Sequence, residues 1–424
     1  MTTTMTELPA KGETARRAAR RLMSISTEVK NRALVGTAQT ILARREEILA
    51  ANRTDYDQAY ASGLLSEAML DRMQLDAGRL KGIADDVGAI AALPDPIGEM
   101  IEMRTLPNGL QLGRQRVPLG VIGAIYESRP NVTIDISSLA LKSGNAVILR
   151  GGKEALRTNL ALATAAQEAQ EVAGIPAGAL QIIEDTDRAL VGEMLQMKDT
   201  IDLLIPRGGA SLIQYVRDNA AMPVVAGGIG VCHTYVHSAA DLEKAVAIVD
   251  NAKTRRVSIC NALDTVIVDS AVAEPFLRAL GKIWTRKGVE LRGDRPAAAI
   301  LRRHGFSVTD AGPDDFGTEF LAPIAAVRVV DSLDGALEHI VQYGSGHSEA
   351  IVTEDYSAAH RFLREVDAAA VFVNASTQFT DGGQFGLGSE VGISTQKMHA
   401  RGPMGLRELT SYKWIVLGSG QIRP

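Results

Sequence analysis

Two cysteines in 424 residues are too few for a disulfide framework or a four-thiolate metal site. The seven histidines are scattered, and none pairs at the spacing of a helical zinc motif, so metal chemistry is not expected. No window approaches the run of about 20 apolar residues that a membrane crossing needs. The stretch from Met1 to Ile25 carries basic residues but no continuous apolar core, which argues against a secretory signal. Arg16, Arg17, Arg20 and Arg21 give it some likeness to a transit peptide, but Glu7 and Glu13 lie among them and favour an amphipathic helix. A formal charge of −5 is small for this length and argues against nucleic acid as the principal partner. Neither G-x-G-x-x-G opening a helix nor G-K-[ST] occurs, so the usual dinucleotide fingerprint and phosphate loop are both missing.

What is present is a folded, soluble balance, with 46% apolar and 22% charged residues. The length predicts two domains with room for a small appendage. From Thr14 to about Ala92 apolar residues such as Leu34, Ala38, Ile41, Ile48 and Leu49 recur at helical spacing without a proline, until Pro94 and Pro96 break the pattern. Asn108-Gly109, between Ile101–Leu106 and Leu110–Val117, predicts a hairpin with a type I′ turn.

Beyond it, β-branched runs alternate with helical segments. Strands are expected at Val121–Tyr126, Ala146–Leu149, Leu180–Ile183, Ile201–Ile205 and Thr234–Val236, with helices near Ala155–Ala173 and Leu212–Asn219. This is the pattern of a parallel sheet with crossover helices. Ser238 and Asp241 predict a capping box for a helix running to about Lys253. A second block follows, with strands at Thr265–Val268, Ala325–Val330, Ala350–Val352 and Val371–Asn374. A glycine-rich tail from Gly382 to Gly405 precedes a closing strand, Ser411–Leu417. The domain boundary is placed near His237, giving domains over 1–236 and 237–368 and a return to the first domain over 369–424.

Three glycine turns could cradle an anion with bare N–H groups: Gly151-Gly152-Lys153, Arg207-Gly208-Gly209 and Gly227-Gly228-Ile229-Gly230. Tight turns explain most such glycines equally well. Cys260 lies in a polar connection, with Lys253, Arg255 and Arg256 nearby to favour a thiolate. Cys232 is followed by His233, but neighbours on a strand point to opposite faces, so that pair is not expected to meet.

The tail VFVNASTQFTDGGQFGLGSEVGISTQKMHARGPMGLRELTSYKWIVLGSGQ (Val371 to Gln421) closely resembles the signature of the γ-glutamyl phosphate reductase family, a branch of the aldehyde dehydrogenase superfamily. PLGVIGAIYESRPNVT (Pro118 to Thr133), LKSGNAVILRGGKEA (Leu141 to Ala155), DLLIPRGG (Asp202 to Gly209), CHTYV (Cys232 to Val236) and SICNALDT (Ser258 to Thr265) resemble it in the same order. Val257, where proline is common, and Asp264, where glutamate is common, depart from the pattern.

The resemblance implies an α/β, aldehyde dehydrogenase-like fold. Its parts would be a Rossmann-like cofactor domain, an α/β catalytic domain and a small β arm for oligomerisation, formed by the hairpin at about 101–117 and the closing strand. It implies Cys260 as the nucleophile and Asn131 as an oxyanion donor, although a gapless match would put Glu127 in that place. Glu319, in an E-x-x-x-P element, would hold the nicotinamide ribose. Gly208 and Gly209 would turn beside the cofactor, and Phe385 would lie near the nicotinamide. Arg150 and Lys153 fall near the adenosine ribose, where two cations would favour the 2′-phosphate of NADPH/NADP+. Arg129 and Arg401 are candidates for the substrate's anionic groups.

The implied activity is NADPH-dependent reduction of L-glutamyl 5-phosphate to L-glutamate 5-semialdehyde, in proline biosynthesis. The implied setting is cytoplasmic, as a homodimer or homotetramer, with glutamate 5-kinase as a partner and no nucleic acid or membrane involved. Val225-Ala226-Gly227-Gly228-Ile229-Gly230 lacks the acid with which hydrolytic relatives activate water. That absence separates the reading from a hydrolytic aldehyde dehydrogenase. A CoA-acylating enzyme would differ in its acyl acceptor, a cysteine hydrolase would need a histidine motif, and a binding scaffold would not turn over.

Overall fold

The computed structural model describes residues 7–423; Met1–Thr6 of the amino-terminal stretch and Pro424 lie outside the described residues. The chain divides into two compact units. One runs through Gly227 and adds Gly386–Gly392 and the chain from Met404; the other comprises Gly228–Phe385 and Ile393–Pro403.

The first unit opens with five helices, α1 (Glu7–Leu22), α2 (Thr27–Ala43), α3 (Arg45–Ser62), α4 (Glu67–Met73) and α5 (Ala77–Ala92). Ser26, Ser66 and Asp76 cap α2, α4 and α5 by accepting backbone N–H groups. The hairpin β1 (Met100–Thr105) and β2 (Gln111–Pro118) follows, then β3 (Val121–Tyr126), α6 (Pro130–Lys142), β4 (Ala146–Arg150), α7 (Leu156–Ala173), β5 (Leu180–Ile182), α8 (Ala189–Leu195), β6 (Leu203–Arg207) and α9 (Ala210–Asn219). The parallel strands order as β5-β4-β3-β6. All six residues of β3 are buried, as a parallel strand with both faces covered requires. The chain steps outward from β3 to β4 and β5, then returns to β6 on the other side of β3. The carboxyl ends of β3 and β6 therefore flank the place where the winding reverses, the usual position of a ligand crevice in such sheets.

The second unit contains β7 (Cys232–Val236), α10 (Leu242–Thr254), β8 (Leu263–Asp269), α11 (Ala273–Arg286), β9 (Glu290–Gly293), α12 (Arg295–Arg303), β10 (Thr309–Asp310), β11 (Ile324–Val330), α13 (Leu333–Tyr343), β12 (Ser348–Val352), α14 (Tyr356–Glu365) and β13 (Ala370–Val373). Its seven strands order as β10-β9-β11-β8-β7-β12-β13. Phe276, Leu280 and Trp284 of α11 pack with Val266 and Val268 of β8 in its core. The short pair β14 (Ile393–Ser394) and β15 (Gly402–Pro403) completes the unit. In the first unit, β16 (Thr410–Leu417) pairs antiparallel with β2, so that β1-β2-β16 form a separate three-stranded arm.

Several expectations shift. The strand Cys232–Val236, placed at the end of the first domain, pairs with β8 and β12 in the second unit. The division falls at Gly227/Gly228 rather than near His237. Residues 370–373 likewise pair with β12 instead of returning to the first unit. Asp241, not Ser238, caps α10, accepting from Glu243 and Lys244. At the tip of the hairpin only Gly109 has positive φ, at 86°, and its N–H donates to Leu106. A type I′ turn needs positive φ at two residues; one left-handed glycine after a type I turn is the three-residue alternative. β9 and β10 escape sequence reading because they are short, charged strands at a sheet edge. Among the described residues, no helix is long and apolar enough to cross a membrane.

The helical layer is pinned by a buried charge pair. Lys30 Nζ on α2 lies 2.9 Å from Asp95 Oδ2, with both side chains almost wholly buried, and Asp95 also accepts from Thr27 and Ile97. Lys30→Met strands that carboxylate, which should cost about 3–5 kcal/mol in denaturant unfolding. Lys30→Met with Asp95→Leu should recover much of the loss.

Candidate active site

Cys260 lies in the turn between α10 and β8, partly accessible, whereas Cys232 is buried. The turn is held from both sides. The Gln378 side chain donates to the carbonyls of Ala252 and Arg256 and accepts from Arg255 Nη1. Asn261 donates to the carbonyls of Gln378 and Thr380, and its own carbonyl accepts from Thr377. Below the cysteine, the backbone of Gly230 packs so tightly that a Cβ there would lie 1.7 Å from the Cys260 carbonyl oxygen. Only glycine fits. Cys232 Sγ donates to that same carbonyl at 3.2 Å.

Of the three cations expected to favour the thiolate, two have partners of their own. Lys253 is fully buried, 3.9 Å from Asp264, and Arg255 is taken up by Gln378. Burial pushes Asp264 up to about 7, against the pull of Lys253. Its carboxyl accepts the N–H of Cys232 and that of Phe320, tying the start of β7 to the residue after Glu319. Glu319, half-buried, accepts the Gly230 N–H at 3.1 Å. Glu319, Gly230 and Cys260 thus form one connected group in the second unit. Phe385 is exposed, its ring 6.4 Å from that of Phe372.

Cys232 and His233 do point apart, His233 toward Glu349. Cys232 instead meets His347 Nδ1 at 3.8 Å, a partner the sequence did not suggest. Burial raises the Cys232 thiol well above its ordinary value and lowers His347 to about 4. The pair is neutral near pH 7 and makes a poor nucleophile.

In the first unit a groove of about 860 Å³ opens at the carboxyl ends of β3 and β4. Leu64, Leu65 and Met69 line one part of it, Leu212 and Tyr215 another. Arg150, Lys153 and Arg188 contribute cations. Arg150 donates to the carbonyls of Gly151 and Thr186, which makes it a strut under the rim, while its buried Nε has no partner. Lys153 and Arg188 are exposed. Arg188, in the β5–α8 connection, was not singled out by the sequence. Gly208 and Gly209 form the turn into α9, where a Cβ on Gly208 would meet the Glu127 carboxylate at 2.5 Å. Glu127 accepts the Gly209 N–H. It holds that turn and, as a carboxylate, cannot also donate to an oxyanion.

Asn131, at the start of α6, donates to Asp135 Oδ2 at 2.8 Å. One amide N–H is used in this way; the second is available for another acceptor. Burial pushes Asp135 up to about 7, opposed by Asn131 and Arg207 and reinforced by Asp86. Arg129 precedes α6 at its N-cap. Arg401 pairs with Asp367 at 2.7 Å in the second unit, which fits a structural use better than a substrate ligand. Asp135, Gln378 and Asp264 had no signal in motif spacing, because each acts by tertiary contact.

Comparison with known proteins agrees with this arrangement. The model of the aldehyde dehydrogenase family matches residues 3–290 and 312–415. A γ-glutamyl phosphate reductase of Dehalococcoides mccartyi is 59% identical over 418 residues, covering 98% of each chain. The crystal structure of γ-glutamyl phosphate reductase from Thermotoga maritima superposes with a TM-score of 0.95 at 47% identity, covering 99% of this chain and 100% of that one. An engineered glycolyl-CoA reductase with bound NADP+ shares the fold at 16% identity, with a TM-score of 0.68 and 97% of each chain covered. A thiol on a clamped turn, a groove at the ends of parallel strands and likeness over almost the whole length lead to one assignment: this chain belongs to the aldehyde dehydrogenase family.

Proposed function

We propose that the protein reduces L-glutamyl 5-phosphate to L-glutamate 5-semialdehyde with NADPH, through a thioester on Cys260. The observation that carries the reading is the partly accessible Cys260 on a turn packed against Gly230, within a Val225–Gly230 stretch that bears no acid. The likeness to a γ-glutamyl phosphate reductase at 59% identity supports the same substrate.

The Cys260 thiolate attacks the γ-carbonyl carbon; the S–C bond forms, the C–O bond to phosphate breaks, and inorganic phosphate leaves. Covalent catalysis replaces one difficult reduction by two feasible steps. When bound, NADPH supplies the hydride that takes the thioester to the aldehyde level. Each tetrahedral state places charge on oxygen, for which the Cys260 N–H and the second Asn131 amide N–H are the proposed donors. Loss of the aldehyde returns the sulfur to its thiolate. Phosphate, rather than water, is the natural partner of the thioester in reverse, because the stretch beside the thiol supplies no base for water.

The groove fits the cofactor's adenosine end. Its apolar walls suit a base, and the unpartnered Arg150 Nε, Lys153 and Arg188 suit an anion. Lys153 and Arg188 would take the 2′-phosphate, Arg150 would shape the rim, and Gly208 and Gly209 would line the turn beside the cofactor. Glu319 would hold the nicotinamide ribose and Phe385 would flank the ring. Exposed Tyr412, Trp414 and Val416 on the β arm support assembly with a second copy. An unstable acyl phosphate supports delivery from a glutamate 5-kinase, and a supply of NADPH supports a cytoplasmic setting.

Cys260→Ser should abolish turnover while leaving NADPH binding, read by fluorescence titration, nearly intact. In the reverse direction, NADP+ reduction by glutamate semialdehyde should depend strictly on phosphate. Equal rates with CoA or with water alone would overturn the proposal. Lys153→Ala and Arg188→Ala should each raise the KM for NADPH about tenfold, the loss of one charged hydrogen bond, and leave the KM for NADH unchanged. An equal rise for both cofactors would remove these residues from 2′-phosphate recognition.

A further inference from the structure

Asp135, Arg207 and Asn131 are gathered where the first unit's sheet reverses its winding. Arg207 ends β6, beside the carboxyl end of β3, and Asn131 and Asp135 lie one turn apart on α6. Both charged residues are half-buried. The Arg207 guanidinium rests against the backbone of Gly392, where a Cβ would lie 2.8 Å from Nη1. Arg207 is close enough to lower the Asp135 pKa, yet the two do not form a contact ion pair among the described residues. Asp86 on α5 adds a further negative charge near Asp135. A carboxyl group that burial holds at about 7 lacks a cation of its own and gains one when an ammonium arrives.

We infer that Asp135 and Arg207 form the receptor for the α-amino-acid head of the substrate, Asp135 taking the ammonium and Arg207 the carboxylate. The inference rests on the proposed reduction of a γ-glutamyl group and deepens it. It turns on spacing. The reacting carbonyl and the α-nitrogen of a glutamyl chain are separated by three carbon atoms, a reach comparable with one helical turn of about 5.4 Å. The backbone positions of Asn131 and Asp135 stand one such turn apart, and the 2.8 Å hydrogen bond between their side chains fixes the amide as the carboxylate is fixed. Recognition of the head group would therefore orient the amide proposed to receive the oxyanion. Asp135 and Arg207 are specificity determinants rather than participants in bond making.

The test compares three aldehydes in the phosphate-dependent reverse reaction: glutamate semialdehyde, 5-oxopentanoate, which lacks the ammonium, and 4-aminobutanal, which lacks the carboxylate. Wild-type protein should favour the first. Asp135→Asn should lose roughly 10- to 150-fold in kcat/KM with glutamate semialdehyde, the range for a hydrogen bond to a charged group, and little with 5-oxopentanoate. Arg207→Gln should lose similarly with glutamate semialdehyde and little with 4-aminobutanal. Binding of NADP+ should be unchanged in both. Arg207 sits on a different element, so a folding defect in one variant leaves the other informative. Unchanged selectivity, or an equal loss on all three aldehydes, overturns the receptor alone. A wild-type protein indifferent to glutamate semialdehyde overturns the proposed function and the receptor together.

Discussion

The contact between the Gly230 backbone and the Cys260 carbonyl is the constraint on which the catalytic unit turns. It lets the segment entering β7 serve as the floor beneath the Cys260 turn, with no side chain between. Gln378 and Thr377 then fix the turn from a later part of the chain, by donating to the carbonyls of Ala252 and Arg256 before the cysteine and of Asn261 after it. In the proposed reaction the sulfur attacks and later leaves, and a fixed origin serves it because a displacement of about 1 Å can cost 100-fold in rate. The rigidity comes from backbone packing and amide bonds, not from ion pairs that water could screen.

The polar groups below this floor are mostly silenced. Burial lowers His347 to about 4 and His339 to about 3 and raises Glu349, so the imidazoles are neutral near pH 7. Asp264 is the exception that titrates there, held between Lys253 and two backbone donors. Deprotonation strengthens its acceptance of the Phe320 and Cys232 N–H groups. Because its folded pKa is raised above the unfolded value, its stabilising contribution is present at acid pH and falls as pH rises through about 7. Lys253, with its pKa lowered by desolvation, contributes in the opposite sense, losing folded stability at pH below its unfolded value.

The large elements were legible in the sequence because hydrophobic periodicity is a local signal. β3, β4, β8, β11 and β16 begin or end within two residues of the expected bounds. The unit boundary was misplaced because β7 follows the first block in sequence yet pairs only with later strands, and pairing is not written in any window. At the site, the motif resemblance brought Cys260 and Glu319 forward, and the structure joins them through Gly230. The electrostatic reading used sequence proximity, whereas in space Lys253 lies beside Asp264 and the Arg255 guanidinium reaches the Gln378 amide. Likewise Cys232 found a histidine 115 positions away and not the one beside it.

Part of the Val225–Gly230 stretch is closed to any side chain by the same packing. In the Val225–Gly230 stretch, position 230 admits no Cβ, and a Cβ at Gly228 would lie 2.5 Å from Thr395 Oγ1. An acid at either place would require the cysteine turn or the Thr395 segment to move. Ile229, 51% exposed, is where a side chain is already tolerated, and it points an apolar group outward. Gly230 is closed by the Cys260 backbone and Gly228 by the Thr395 side chain, two separate contacts. A side chain of any kind at Gly230 would first have to displace the Cys260 turn.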